Sequence, residues 1–158
     1  MQNDEDGRLA LDAIRRIVRA LRESAAVAER RTGMTGAQLF VLQILSRARG
    51  MSVNELAAQT FTHQSTVSVV VRKLVAQKLV RKSVSARDQR RVELAVTPQG
   101  RARLRRAPTA AQERLIAAVR DLPPAERRKL AATLARLATA IDAKDRPPVM
   151  LFDDRKAR

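Results

Sequence analysis

The chain has no cysteine, one histidine (His63) and three aromatic residues, Phe40, Phe61 and Phe152. Without cysteine, disulfides, thiolate metal sites, cysteine nucleophiles and thiol redox sensing are excluded. With one histidine, a multi-histidine metal centre within one chain is excluded, and an unperturbed imidazole base would rest on His63 alone. The sequence shows neither a cluster of metal ligands nor a glycine-rich phosphate loop. The expectation is therefore a protein that is not an enzyme, with no cofactor and no metal. Three aromatics are too few for the stacking platforms that hold single strands and RNA. No stretch approaches 18 uninterrupted apolar residues, so no segment reads as spanning a bilayer and no membrane partner is expected. The start, Met1 to Asp6, is acidic, unlike the basic start of a signal peptide, and a cytoplasmic location is expected.

What the chain has in excess is positive charge. Its 158 residues, a domain's worth or a little more, carry 32 Lys and Arg against 16 Asp and Glu, a net charge of +16. A charge that large is self-repelling unless a polyanion compensates it. Much of it is local: from Arg72 to Arg106, 12 basic residues face two acids, Asp88 and Glu93, within 35 positions. The patch falls on turn and hairpin signals rather than on one amphipathic helix, which favours nucleic acid over a membrane surface, and duplex DNA over single strands.

Hydrophobic period and capping signals divide the chain. Residues 8–30 place Leu11, Ile14, Ile17, Val18, Leu21 and Ala25 at helical spacing, and Gly33 ends the run. Thr35 and Gln38 form a capping box for a second helix, and Ser52 and Glu55 form one for a short third helix to about Gln59. A fourth helix is expected from about His63 to Gln77. The period then changes. Leu79–Val84 and Arg91–Val96 are rich in β-branched residues and flank a polar, basic connection, the pattern of a hairpin. Thr97-Pro98 opens a fifth helix, Pro108 breaks it, and Thr109 with Gln112 reads as a fresh capping box. Leu122–Glu126 opens the last helix, with Leu130, Leu134, Leu137 and Ile141 on one stripe. The tail from Asp145 contains prolines and an apolar patch, Val149–Phe152. The fold class is mainly α with a small β-hairpin.

A short helix, a tight turn, a longer helix and a basic hairpin form one unit: a helix-turn-helix followed by a wing. On the longer helix, Val67, Val70, Val71 and Leu74 share the core face. Ser65, Ser68, Val69 and Arg72 point the other way. Small polar side chains ending in an arginine suit a helix lying in a major groove, where large side chains would hold it off the base edges. Around that face, His63, Thr66, Lys73, Arg81, Lys82 and Arg87 are candidate phosphate contacts. His63, at the start of the helix, is favoured as a phosphate contact or a passive residue that helps cap the helix over a ligand-binding residue.

Ser65–Ser68, Arg72-Lys-Leu74, Leu79-Val-Arg81, Asp88-Gln-Arg90 and Val96–Gly100, taken together in this spacing, resemble the multiple-antibiotic-resistance regulator (MarR) family. The likeness extends over roughly residues 8–142. It implies a winged helix-turn-helix dimer whose terminal helices intertwine, acting as a repressor released by a small, often aromatic, acid. It also implies that Arg90 enters the minor groove and that Asp88 holds the wing in shape; Arg91 is placed with them at the wing. The chain departs from the pattern at Lys78, where the family has glycine, at Val96 in place of leucine, and at Pro108, which interrupts a usually long helix.

The resulting organisation is a winged domain over residues 35–97, dimerisation helices over 8–34 and 98–144, and a tail over 145–158. Ile14, Ile17, Val18 and Leu21 are expected to pack with Leu130, Leu134, Leu137 and Ile141, within and across the subunits of a homodimer. An intramolecular core is the alternative for that stripe. The function expected is a sequence-specific, DNA-binding regulator on a pseudo-palindromic operator, with a small-molecule effector that the residues do not name. The alternative is a non-specific nucleoid-architectural protein, which the high charge would also suit.

Overall fold

The computed structural model describes residues 2–48, 50–86, 88–141 and 150–151. The described elements are α1 (Gln2–Thr32), α2 (Gly36–Ser46), α3 (Val53–Thr60), α4 (Gln64–Ala76), β1 (Val80–Val84), β2 (Val92–Val96), α5 (Pro98–Leu104), α6 (Ala111–Asp121) and α7 (Pro124–Ile141). This is the mainly helical architecture with one hairpin that the sequence predicts, although α1 begins at Gln2, six residues before the expected start at residue 8.

Helix starts follow local chemistry in most places. The Thr35 side chain accepts from the Gln38 backbone N–H while Gln38 Oε1 accepts from that of Thr35, a complete capping box for α2. Ser52 and Glu55 do the same for α3. Thr97 caps α5 by accepting from Gly100 N, with Pro98 in the first turn. One expected cap is absent. Thr109 does not start α6: Ala110 occupies the cap position and no side chain of its own segment caps it. Instead Gln43 Oε1 accepts from Ala110 N at 3.1 Å and Ser24 Oγ from Ala111 N at 3.0 Å, so two other helices supply the acceptors.

β1 and β2 form an antiparallel hairpin with Val80 opposite Val96 and Val84 opposite Val92. Met51 adds an isolated bridge to Leu94 on the free edge of β2. One core runs through the molecule. Leu39, Leu42, Leu45, Leu56, Val67, Val70, Leu74, Leu79 and Leu94 are fully enclosed, joined by Ala28 of α1, by Met34 just beyond it, by Ala110, and by Met150. Each large aliphatic side chain so buried contributes roughly 1.5–3 kcal/mol.

Two observations bear on the packing of the chain's ends. Met150, from the apolar patch of the tail, belongs to the core of its own chain; Val149, Phe152 and the rest of the 145–158 tail apart from Leu151 lie outside the described residues. The terminal stripes do not pack on each other within the chain. Leu21 is buried and Val18 and Leu130 are half-buried, but Ile14, Ile17, Leu134, Leu137 and Ile141 are exposed, the last by 87%. Among the described residues no side chain of α7 is fully buried. None of the described helices is long and apolar enough to cross a membrane.

Candidate nucleic-acid interface

The site is built on the turn between α3 and α4. Phe61 closes α3 in the left-handed region, at φ 51°. Thr62 N donates to Ala57 O at 3.0 Å and Thr60 Oγ1 to Leu56 O at 2.9 Å, so the carbonyls at the end of α3 are satisfied as the chain reverses. A left-handed phenylalanine is costly without support. Support comes from α6: the Arg120 guanidinium lies 4.6 Å from the Phe61 ring centroid and donates to Gln59 O.

After the turn, α4 buries Val67, Val70, Val71 and Leu74, as their spacing requires. Its opposite face presents Ser65, Val69 and Arg72 to solvent, with Ser68 half-buried between them. Positions three and four apart lie one above another on a helix, so these four side chains form a single low ridge. Lys73 is exposed and Thr66 half-buried at its margins. His63 occupies the cap position of α4, but its exposed side chain makes no capping bond, so that alternative is removed.

α4 ends in a Schellman arrangement. Leu79 N donates to Leu74 O and Lys78 N to Val75 O, both at 2.9 Å, with Lys78 left-handed at φ 58°. The departure from glycine therefore leaves the backbone conformation in place. Thr97 then ties the far end of the hairpin to this corner, its hydroxyl donating to Lys78 O at 2.7 Å. A side chain at Gly100 would bring Cβ within 2.3 Å of Leu79 O, which gives the glycine of the Val96–Gly100 motif its physical reason.

At the wing, Asp88 Oδ1 accepts from Arg90 N at 2.9 Å and Asp88 O from Arg91 N at 2.9 Å. Ser85 N donates to Arg91 O at 2.8 Å and closes the loop. Asp88 is thus a local turn-former, and Arg90 is left exposed at the tip. Arg91 behaves differently from its neighbour. Its Nη2 pairs with Glu55 at 2.6 Å and its Nε lies 3.6 Å from Glu93, so the side chain points back to α3. Hydrogen bonds from the Ser52 backbone and hydroxyl, with Arg91 adding its charge, hold the Glu55 carboxyl below its ordinary pKa. Arg81 and Lys82, both exposed, stand on opposite faces of β1, and Arg81 lines a cleft of about 400 Å³ with Arg101 and Glu93. Arg87 lies outside the described residues.

The sequence reading placed the α4 ridge and the Asp88 turn and missed the tertiary ties. The Glu55–Arg91 pair joins positions 36 apart, and Arg120 reaches Gln59 across 61. No local spacing announces either. The bidentate pair of Arg47 with Glu113, which fastens α2 to α6, is of the same kind.

Comparison with known proteins places this geometry. Residues 32–91 match the model described as MarR family. A 68-residue stretch, 43% of this chain and 44% of the relative, is 31% identical to the HTH-type transcriptional repressor MdtR of Bacillus subtilis (strain 168). A MarR-family transcriptional regulator from Silicibacter pomeroyi is 28% identical with a TM-score of 0.50, covering 87% of this chain and 90% of that one. The structure of an S. aureus MepR–DNA complex, 23% identical, shares the fold at a TM-score of 0.55 over 82% of this chain and 96% of its own. The segment 32–91, which holds the helix-turn-helix and most of the wing, is thus similar to the MarR family, and the fold is shared with solved structures of that kind.

Proposed function

We propose that the protein is a sequence-specific DNA-binding repressor that acts as a homodimer and responds to a small molecule. The observation that carries this reading is the pairing of two surfaces: the low ridge Ser65, Ser68, Val69, Arg72 on α4, and an Asp88-shaped wing tip ending in Arg90. Serine can donate or accept, valine can touch a thymine methyl, and arginine can read guanine. Arg90 suits a narrow minor groove, where negative potential concentrates. His63, Thr66, Lys73, Lys82 and Arg87 fit the role of phosphate contacts in this reading, and Arg81 joins them only if its cleft faces the duplex. Arg91 serves as an internal brace, since its charge is spent on Glu55 and Glu93.

The names of relatives support the reading in kind: one is called a repressor, and another was crystallised on DNA. The dimer is supported by the apolar stripes of α1 and α7, which a single chain leaves uncovered. The net charge of +16 suits a nucleoid-architectural protein as well, and the two readings separate in one experiment. Anisotropy titration should show the palindrome upstream of the gene bound at least about 10³-fold more tightly than random DNA. With about eight phosphates neutralised per dimer, log affinity should fall against log salt with a slope near −7. Equal affinity for both DNAs would favour the architectural reading.

A further inference from the structure

A cavity of about 330 Å³ opens between α2, the turn into α4, and α6. Phe40, Phe61, His63 and Ile116 wall it, and Met150 and Leu151 from the far end of the chain sit at its edge beside Gln112. Met150 is 5% exposed and part of the core. The Leu151 carbonyl accepts a hydrogen bond from Gln112 Nε2 at 2.7 Å. Gln112 is itself only 7% exposed, and its Oε1 has no hydrogen-bond partner.

A buried amide oxygen left without a donor is costly, and native structures rarely leave one so. The tail therefore satisfies half of Gln112. A primary amide offers a donor and an acceptor side by side, and its full complement is a group with N–H and C=O on one edge, as in a lactam. The other buried polar lining residue, Thr60, already donates its hydroxyl to Leu56 O and Ala57 O. None of the described lining residues is a buried cation, so a carboxylate would enter without compensation for its lost hydration. The volume suits a two-ring molecule.

We propose that Met150–Leu151 is a built-in occupant of this cavity, and that its external ligand is a neutral aromatic lactam that takes the place of the Leu151 carbonyl and pairs with both edges of Gln112. This deepens the effector part of the proposed function and rests on it for its regulatory meaning: the cavity wall includes the left-handed Phe61 and the cap residue of α4, so occupancy bears directly on the helix that reads DNA.

The test is calorimetric titration of the full, DNA-free chain with 2-quinolone, with N-methyl-2-quinolone and quinoline-2-carboxylate as controls. Met150→Asp expels the tail and should tighten 2-quinolone at least about tenfold, the gain expected if the tail is seated some nine-tenths of the time. Met150→Ala, checked for native circular dichroism, should move in the same direction and covers the case in which the charged variant does not fold. Gln112→Leu should lose at least tenfold, and both controls should bind more weakly than 2-quinolone. Unchanged affinity in folded Met150 variants overturns the built-in occupant. Tighter binding of the carboxylate, or no binding of 2-quinolone to any form, overturns the lactam. Operator binding is measured separately, so a chain that shows this competition yet ignores DNA would discredit the repressor and leave the site standing.

Discussion

Asp88 places a negative charge beside the surface proposed to meet DNA, and its local geometry argues that the charge is tolerated for its shape. Its carboxylate holds the Arg90 N–H at 2.9 Å, which fixes the direction of the wing tip. If that is its task, Asp88→Ala should weaken DNA binding, whereas simple electrostatics predicts tighter binding once an acid is removed. In an Arg90→Ala background the Asp88→Ala penalty should largely vanish, a coupling of about 1 kcal/mol in anisotropy titrations. Tighter binding by Asp88→Ala alone would make it an ordinary surface acid. Asp88 was legible in the sequence because its bond spans two residues. Arg91, one step beyond Arg90, was not: among adjacent arginines nothing local says which one faces outward. The structure separates them through Glu55, 36 positions away.

At the level of elements, legibility follows the range of the interactions that start and stop each helix. The capping boxes at Thr35 and Ser52 are closed within three residues, and both were readable. The start of α6 was misread because Gln43 and Ser24, remote in sequence, supply its acceptors, and Thr109 is left with no capping role. The end of α4 is a third case. The sequence shows that glycine is missing there, and the structure shows that Lys78 takes the left-handed conformation regardless. Glycine enters that region with little cost where residues with a Cβ do not. Lys78→Gly should therefore stabilise the fold by about 1 kcal/mol in chemical denaturation, with the Leu74–Leu79 closure unchanged. A loss of stability would mean that the lysine side chain makes a compensating contact.

At the scale of the whole molecule, the exposed stripes on α1 and α7 are what the proposed homodimer rests on. Leu134 and Leu137 are about half exposed and Ile141 almost fully so, and a single chain leaves them in water. Covering each such side chain contributes roughly 1.5–3 kcal/mol. Leu137→Asp should yield a monomer in sedimentation velocity and abolish tight operator binding, and a monomeric wild type at micromolar concentration would sink the dimer. The sequence showed these stripes but not that they miss each other within one chain, because periodicity reports a face and not its partner. The Gln43 side chain adds a constraint of another kind. Its amide donates to Pro108 O at 2.7 Å while accepting from Ala110 N, so it grips both sides of the break between α5 and α6. A proline break clamped in this way is a set square rather than a hinge. In a dimer built through the terminal helices, the two reading heads would then be held at one separation and one relative rotation. Such a protein is intolerant of spacer length: one inserted base pair turns the half-sites by about 34° against each other, given a repeat of about 10.5 bp. The wild type should lose most of its affinity for an operator lengthened by one base pair, and Gln43→Ala should lose proportionally less, measured as the ratio of affinities for the two spacings. A ratio that Gln43→Ala leaves unchanged would show that the corner is fixed by something other than this amide.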